Sequence, residues 1–450
     1  MKLTRSLLKK IAVGVSGGVD SAVAAWALKI QGHDIHGVFM RNWDSLNESD
    51  SGNCTEDTEC AVAAWVCRSL DIPFTEMNFV SHYWNDVFQY TLSEYTAGLT
   101  PNPDILCNRH IKFGQLAETC RERLGCDWLA TGHYARVVSD KSQGTRLLKA
   151  RDESKDQTFF LSAVPQSALA RAIFPLGGLL KSEVREIAEA VGLTKVAHKK
   201  DSTGICFIGK RNFQKFISQY VEDRPGRMVD IDTGVVVGDH QGRHHWTLGQ
   251  RCHLEAITKY YVANKLQDSN DILVCAGYHH PSLYSTSFVT DPPHWIRGIP
   301  PPQLTSQGKV LCEFRFQRGA PLVPCVVSCA EPGSCGVGLS IALKEPLRVI
   351  TPGQFAVFYD GEECLGCAKI IRPGPSLYEL NTSHCKDVIL GLRRHLPSLV
   401  CRSLGKIRRR AKDTDGAAAV ALIDDARDAF CNLVEKIPYD SDVDKSSFRK

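Results

Sequence analysis

Three stretches of this sequence carry residues that could do chemistry, and they lie far apart. The first is Ser16-Gly17-Gly18-Val19-Asp20-Ser21, set between the apolar run Ile11 to Val15 and the alanine-rich stretch Ala22 to Ile30. The apolar run reads as a buried parallel strand. The stretch after it reads as a helix, with Lys29 near its end and Gly32 as a stop. Gly17 and Gly18 have no Cβ, so the backbone there can turn tightly and come close to a ligand. Their N–H groups, the hydroxyls of Ser16 and Ser21 and the helix N-terminus all favour an anion, and a phosphate is the expected guest. The spacing is not that of a Walker loop, and no lysine lies within the turn. Two glycines alone would be read as a tight strand–helix turn; the serines and Asp20 set this one apart.

The other two stretches hold cysteines. Cys107 sits in TPNPDILCNRHIKF, where Pro101 and Pro103 hold the preceding backbone extended. It falls at, or just before, the start of a helix expected over Lys112 to Leu124. A helix N-terminus, with Arg109 and His110 close by, would move a thiol toward thiolate. Asp104 could serve as an acid, a base or a hydrogen-bond acceptor. Cys206 sits in KKDSTGICFIGKRNF, between apolar Ile205 and Phe207 and among Lys199, Lys200 and Lys210. On the residues alone, a plain helix cysteine at 107 and a core cysteine at 206 stay open beside the catalytic reading. Chemistry would require the fold to bring the two thiols together. Cys364 and Cys367 form a C-x-x-C with no second pair at zinc spacing, inside the strand-like ECLGCAKII, and core packing is expected there.

Elements that could position these groups follow from pattern. Strands are expected at Asp34 to Met40, Ile72 to Phe79 and Asp127 to Gly132, alternating with helices at Glu56 to Leu70 and Lys112 to Leu124. Such alternation means a parallel sheet with helices on both faces, over residues 11–212. Residues 213–293 turn β-rich, with hairpins at Met228 to Gly242 and Tyr260 to Gly277. After the proline-rich TDPPHWIRGIPPPQL, short β runs at even spacing predict a small barrel over 294–375. Residues 376–450 form a basic tail with a helix expected over 420–437, and residues 1–10 a basic lead-in or short import signal.

Composition sets outer bounds. The chain has 450 residues, enough for about three domains. A net charge of +4 does not by itself argue for nucleic acid. Its 18 cysteines are too small a fraction for a disulfide scaffold, so a reducing compartment with mostly free thiols is expected. No apolar run approaches the roughly 18–20 residues that cross a bilayer, so a soluble protein is expected.

SGGVDS resembles the PP-loop of ATP pyrophosphatases, which cut ATP between its α- and β-phosphates. With GVFMRNWD, TPNPDILCN, ATGHYAR, KDQTFFLS, FPLGGLLKSEVR, DSTGICFIG and TLGQR following in order, the chain from Ile11 to Pro375 resembles the tRNA-specific 2-thiouridylases. The HWI at His294 to Ile296, the ECLG segment and the long tail look like their mitochondrial branch. The resemblance implies a PP-loop domain, a central β-rich domain and a C-terminal β-barrel. Gly14, Val15, Ser16, Gly17, Gly18, Val19, Asp20 and Ser21 would hold the ATP phosphates, with Met40 and Gly132 on the adenosine side. Asn102, Pro103 and Asp104 would meet the target base. Cys107 would be the nucleophile and Cys206 the persulfide carrier. His133, Lys155, Asp156, Gln157, Arg315, Phe316 and Gln354 would touch tRNA. Mg²⁺ is implied, with Asp20 a possible partner, as are tRNA and a persulfide donor protein, either a cysteine desulfurase or a relay. Two departures stand out: CHLEAITKYYV follows TLGQR, and Gln317 stands where a second arginine is common.

Overall fold

A computed structural model describes residues 8–43, 55–140, 144–200, 212–254, 258–331 and 334–381. Its first strand is β1 (Lys10–Gly14), the apolar run before the glycine turn. Along β1 the side chains alternate: Ile11 and Val13 enter one buried cluster and Ala12 the other, so the strand is covered on both faces. Helix α1 (Val19–Ile30) follows, then β2 (Asp34–Arg41), α2 (Thr55–Ser69) and β3 (Phe74–Asn78). Next come two longer helical stretches, α3 (80–96) and α4 (103–124), and then β4 (Trp128–Thr131). The hairpin β5 (Arg136–Asp140) and β6 (Gly144–Leu148) leads to β7 (Ala172–Ile173) and helix α5 (Lys181–Ala190). The parallel sheet runs β3-β2-β1-β4-β7. Because β1 sits between β2 and β4, chain direction reverses outside the carboxyl ends of β1 and β4. That crevice is where open α/β sheets bind ligands.

After helix α6 (Phe213–Ile217), a second sheet is built from β8 (Gly226–Asp230), β9 (Val236–His240), β10 (Arg251–Cys252), β11 (Tyr260–Lys265) and β12 (Ile272–Ala276). Its order is β10-β11-β12-β8-β9, and both expected hairpins are present. The third unit comprises β13 (Tyr284–Thr290), the short β14 (His294–Trp295), β15 (Lys309–Arg315), β16 (Val323–Glu331), β17 (Ser334–Arg348), β18 (Phe355–Asp360) and β19 (Glu363–Pro373). Pairing runs β13-β17-β16-β15-β18-β19 and returns from β19 to β13, closing a six-stranded barrel.

The structure departs from pattern-based expectation in two places. Tyr284–Thr290, expected before the barrel at 294, is a barrel strand: Phe288 pairs with Ile341 and Pro373 and enters the barrel core. The hairpin β5–β6 belongs by sequence to the first domain, yet it extends the barrel sheet through β6 on β19. Cys364 and Cys367 lie fully buried on β19, as core residues. Cys206, the N-terminal seven residues and the helix expected over 420–437 lie outside the described residues.

Candidate active site

At the head of β1 the chain turns through Gly17, whose φ is +69°, and enters α1 at Val19. Any Cβ on Gly17 would stand 2.6 Å from the Glu59 carbonyl oxygen, so the turn needs glycine for space as well as for φ. Ser21 Oγ accepts from the Ser16 N–H at 3.0 Å, lies 3.2 Å from Ser16 Oγ and donates to the Gly18 carbonyl at 3.1 Å. The two hydroxyls therefore shape the loop. Gly132, just past β4, meets it from the other side of the crevice, where a Cβ would stand 2.7 Å from Ser21 N. Met40 lies half-buried near the end of β2.

The turn itself carries no lysine, but two lysines reach it from distant sequence. Lys181, the first residue of α5, bonds both oxygens of Asp20 at 2.7 and 2.8 Å, and Tyr134 Oη donates to the same carboxylate at 2.8 Å. Lys199 donates to the Gly17 carbonyl at 3.1 Å. Neither lysine was given a role from sequence. For Lys181 a signal existed: a cation in the first turn of a helix opposes the macrodipole, so a helix placing one there wants it for something else. Burying the Lys181 head against Asp20 supplies that reason; their side chains are 11% and 33% exposed.

Helix α4 begins at Pro103, with extended Asn102 as its N-cap, about two and a half turns before the expected start at Lys112. Cys107 is thus the fifth helical residue, and the dipole of the first turn fades before reaching it. Instead, Cys107 opens a π-helical stretch, Cys107–Leu116, of the kind that recurs at functional sites. Cys107 is buried at 3% exposure. Asn108 beside it bonds back to the Asp104 carbonyl at 2.9 Å and keeps a buried Oδ1 without a partner. Burial pushes the Asp104 carboxyl up, against the opposing positive charges of Lys112 and Arg318. Lys112 also acts on His133, which burial holds well below its usual range, so that imidazole is neutral at pH 7. Arg318, from the barrel, lies 5.7 Å over the ring of Phe160. Lys112, Arg318 and Lys199 are residues whose places at the site only the fold discloses.

All three domains converge on the TPNP segment. The Thr100 N–H donates to Pro352 O at 3.2 Å, and Gln354 Nε2 donates to Thr100 O at 2.7 Å and Pro101 O at 3.3 Å. From the central domain, Thr247 Oγ1 approaches Thr100 Oγ1 at 3.4 Å. Gly353, with φ at +89°, is packed so closely that a Cβ would stand 2.9 Å from Thr100 N. Gly353→Ala is therefore expected to destabilise the protein by about 1–3 kcal/mol and to loosen this segment. Denaturant unfolding checks it; a wild-type midpoint would mean the turn tolerates the methyl.

Four of the seven residues expected to touch tRNA are buried among protein groups. His133 Nδ1 lies 2.7 Å from Thr131 Oγ1, between the rings of Phe113 and Phe174. Phe316 lies in the barrel core. Asp156 accepts from Ala150 N at 3.0 Å and Thr158 Oγ1 at 2.7 Å and is ion-paired with Arg315, which also donates to Tyr359 Oη. This pair links the first domain to the barrel: in the structure the two charges face each other. Gln157 accepts from Tyr134 N at 2.9 Å, and Lys155 is half-buried.

A parallel sheet with a glycine turn at its switch point, followed by two β domains, is the architecture of a HUP-type domain with barrel appendages. Residues 9–210 match the family described as the tRNA methyl transferase HUP domain. Residues 214–276 match its PRC-barrel domain, and 285–370 an aminomethyltransferase β-barrel domain. The chain is 46% identical to mitochondrial tRNA-specific 2-thiouridylase 1 of Drosophila melanogaster, over 82% of this chain and 95% of that one. It is 45% identical to the Homo sapiens protein of the same name, over 83% and 93%. Against tRNA-specific 2-thiouridylase MnmA of Streptococcus thermophilus the identity is 43%, over 81% and 95%. The chain belongs to the tRNA-specific 2-thiouridylase family.

Proposed function

We propose that this protein is a mitochondrial tRNA 2-thiouridylase that adenylates the 2-oxygen of the wobble uridine with ATP and then replaces it with sulfur. The observation that carries this reading is the convergence of the two chemistries. Lys112, on the cysteine-bearing helix, acts on both Asp104 and His133, and Gly132, next to His133, lies against Asp20 and Ser21. The glycine turn and the cysteine helix are thus linked through Lys112, His133 and Gly132, which supports a shared site.

ATP would place its phosphates against the Gly17–Gly18 turn, with the lysines at 181 and 199 opposing the charge that develops as pyrophosphate leaves. Mg²⁺ fits this turn through the nucleotide: Asp20 already accepts three hydrogen bonds and keeps one lone-pair direction on Oδ2. When bound, the ion would neutralise departing pyrophosphate. A uracil carbonyl oxygen is a poor leaving group; as an adenylate it departs with AMP. The Cys107 thiolate would attack Sγ of a Cys206 persulfide, forming a Cys107–Cys206 disulfide and expelling the outer sulfur as hydrosulfide. That hydrosulfide adds to C2, and AMP leaves with the oxygen. A dithiol or thiol reductant then reopens the disulfide for the next turnover. A persulfide donor protein of the cysteine desulfurase or relay type would reload Cys206.

The test is thiolation of an unmodified tRNA bearing a wobble uridine, with ATP and a persulfide donor, scoring AMP and 2-thiouridine separately. Cys107→Ser and Cys206→Ser are expected to yield no thiolated base. Adenylate bound to tRNA should still form in both. Wild-type thiolation by either variant would sink the relay.

A further inference from the structure

We propose that Asp223, His244 and His245 form a transition-metal site of the zinc class in the central domain, separate from the nucleotide and cysteine chemistry. Among the described residues they are the one group of three or more potential metal ligands whose donor atoms lie within 4.8 Å of one another. His245 Nε2 is 2.8 Å and His244 Nε2 3.1 Å from the same atom, Asp223 Oδ1. A tetrahedral ion bound at roughly 2.0–2.1 Å has its ligand atoms roughly 3.3 Å apart, so these spacings are close to the edges of such a site. Ser218 Oγ marks the fourth vertex, at 3.2 Å from Asp223 Oδ1 and 3.4 Å from His245 Nε2. A hydroxyl there can hold the water that completes the shell.

A plain hydrogen-bonded trio accounts for only part of this arrangement. His245 and Asp223 are well paired, but the buried His244 Nε2, 3.1 Å from the same oxygen, makes no well-aligned hydrogen bond. The His244 side chain is 5% exposed, so water does not readily serve this nitrogen. An orphaned buried nitrogen is costly, and a metal ion between the three donors would satisfy it. Two imidazoles and one carboxylate favour Zn²⁺, Co²⁺ or Ni²⁺ over Mg²⁺ or Ca²⁺.

The site's place in the chain indicates what it would do. Ser218 and Asp223 follow α6, whose Phe216, with Tyr220 beyond it, packs on Phe88. His244 and His245 belong to the short turn Arg243–His245 of the central domain, and Arg243 bonds Leu266 O at 2.7 Å. A metal would fasten the segment that follows residues 201–211, where Cys206 lies, to the central domain. Its role would be structural.

The experiment uses the full-length reduced protein, stripped with a chelator and titrated with Co²⁺ as the spectroscopic probe. Wild type is expected to bind one equivalent showing ligand-field bands without sulfur charge transfer, displaceable by Zn²⁺. Asp223→Asn and His245→Asn should each lose that equivalent. Zn²⁺ should raise the melting temperature of wild type but of neither variant. Asp223 is 42% exposed, so its variant carries the test if His245→Asn fails to fold. Co²⁺ spectra and stoichiometry unchanged in the folded variants, or thiolate-bound Co²⁺ alone in wild type, would overturn the site.

Discussion

Lys181→Ala is expected to lower the adenylation rate by about two to three orders of magnitude, with little change in tRNA affinity. The argument rests on where the charge is held. The Lys181 ammonium bridges both oxygens of Asp20, itself fixed by Tyr134 Oη, so the cation is positioned before nucleotide arrives. A preorganised charge beside departing pyrophosphate acts mainly in the transition state. Its loss should therefore fall on kcat, with a smaller rise in the KM for ATP. Lys181→Arg should rescue poorly: its fork can still pair with both Asp20 oxygens, but a larger planar guanidinium does not take the place of a compact ammonium in a site 11% exposed. Removing Lys181 also leaves Asp20 with one donor, so a modest loss of stability accompanies the variant. Pulse measurement of pyrophosphate release in single turnover separates the effects. Wild-type release from a folded Lys181→Ala protein would remove the lysine from the chemistry and leave it as a partner of Asp20 alone.

Legibility in the sequence tracked how local each cause was. The strand before the glycine turn was readable because three consecutive buried residues, Ile11 to Val13, leave little else for that stretch to be. The turn was readable because two glycines and two serines on a strand–helix junction have a specific use. Most barrel strands announced themselves by even spacing, but Tyr284–Thr290 did not, since its membership depends on closure with β19 far downstream. For the same reason, nothing local told that β5–β6 would be shared with the barrel. The lysines at the phosphate turn reach Asp20 and Gly17 across 161 and 182 residues of chain. The resemblance supplied residue identities without saying which way each side chain faces. That Asp156 and Arg315 face each other, buried between the first domain and the barrel, is legible only in the fold.

Their burial leads to the second large expectation. Arg315→Met should destabilise the protein by about 3–5 kcal/mol, because it leaves the Asp156 carboxylate, 2% exposed, without its cation. Asp156→Leu should be worse: besides stranding the guanidinium, it removes one partner of Thr158 Oγ1 and the acceptor for Ala150 N, and that buried donor left unmade adds its own desolvation. The double variant should lose distinctly less than the sum of the two, since it buries no lone charge. Tyr359 Oη remains for Thr158, so that hydroxyl is not orphaned. Equilibrium unfolding of the four proteins gives the coupling energy, and tRNA binding at fixed salt gives the competing quantity. If the pair holds the first domain to the barrel, coupling is large and tRNA affinity changes only as far as the folded fraction does. If instead Arg315→Met unfolds like wild type while its tRNA affinity drops and its salt dependence flattens, the guanidinium contacts phosphate and leaves Asp156 when tRNA binds. The cycle decides between these because a structural pair and an RNA contact move different observables.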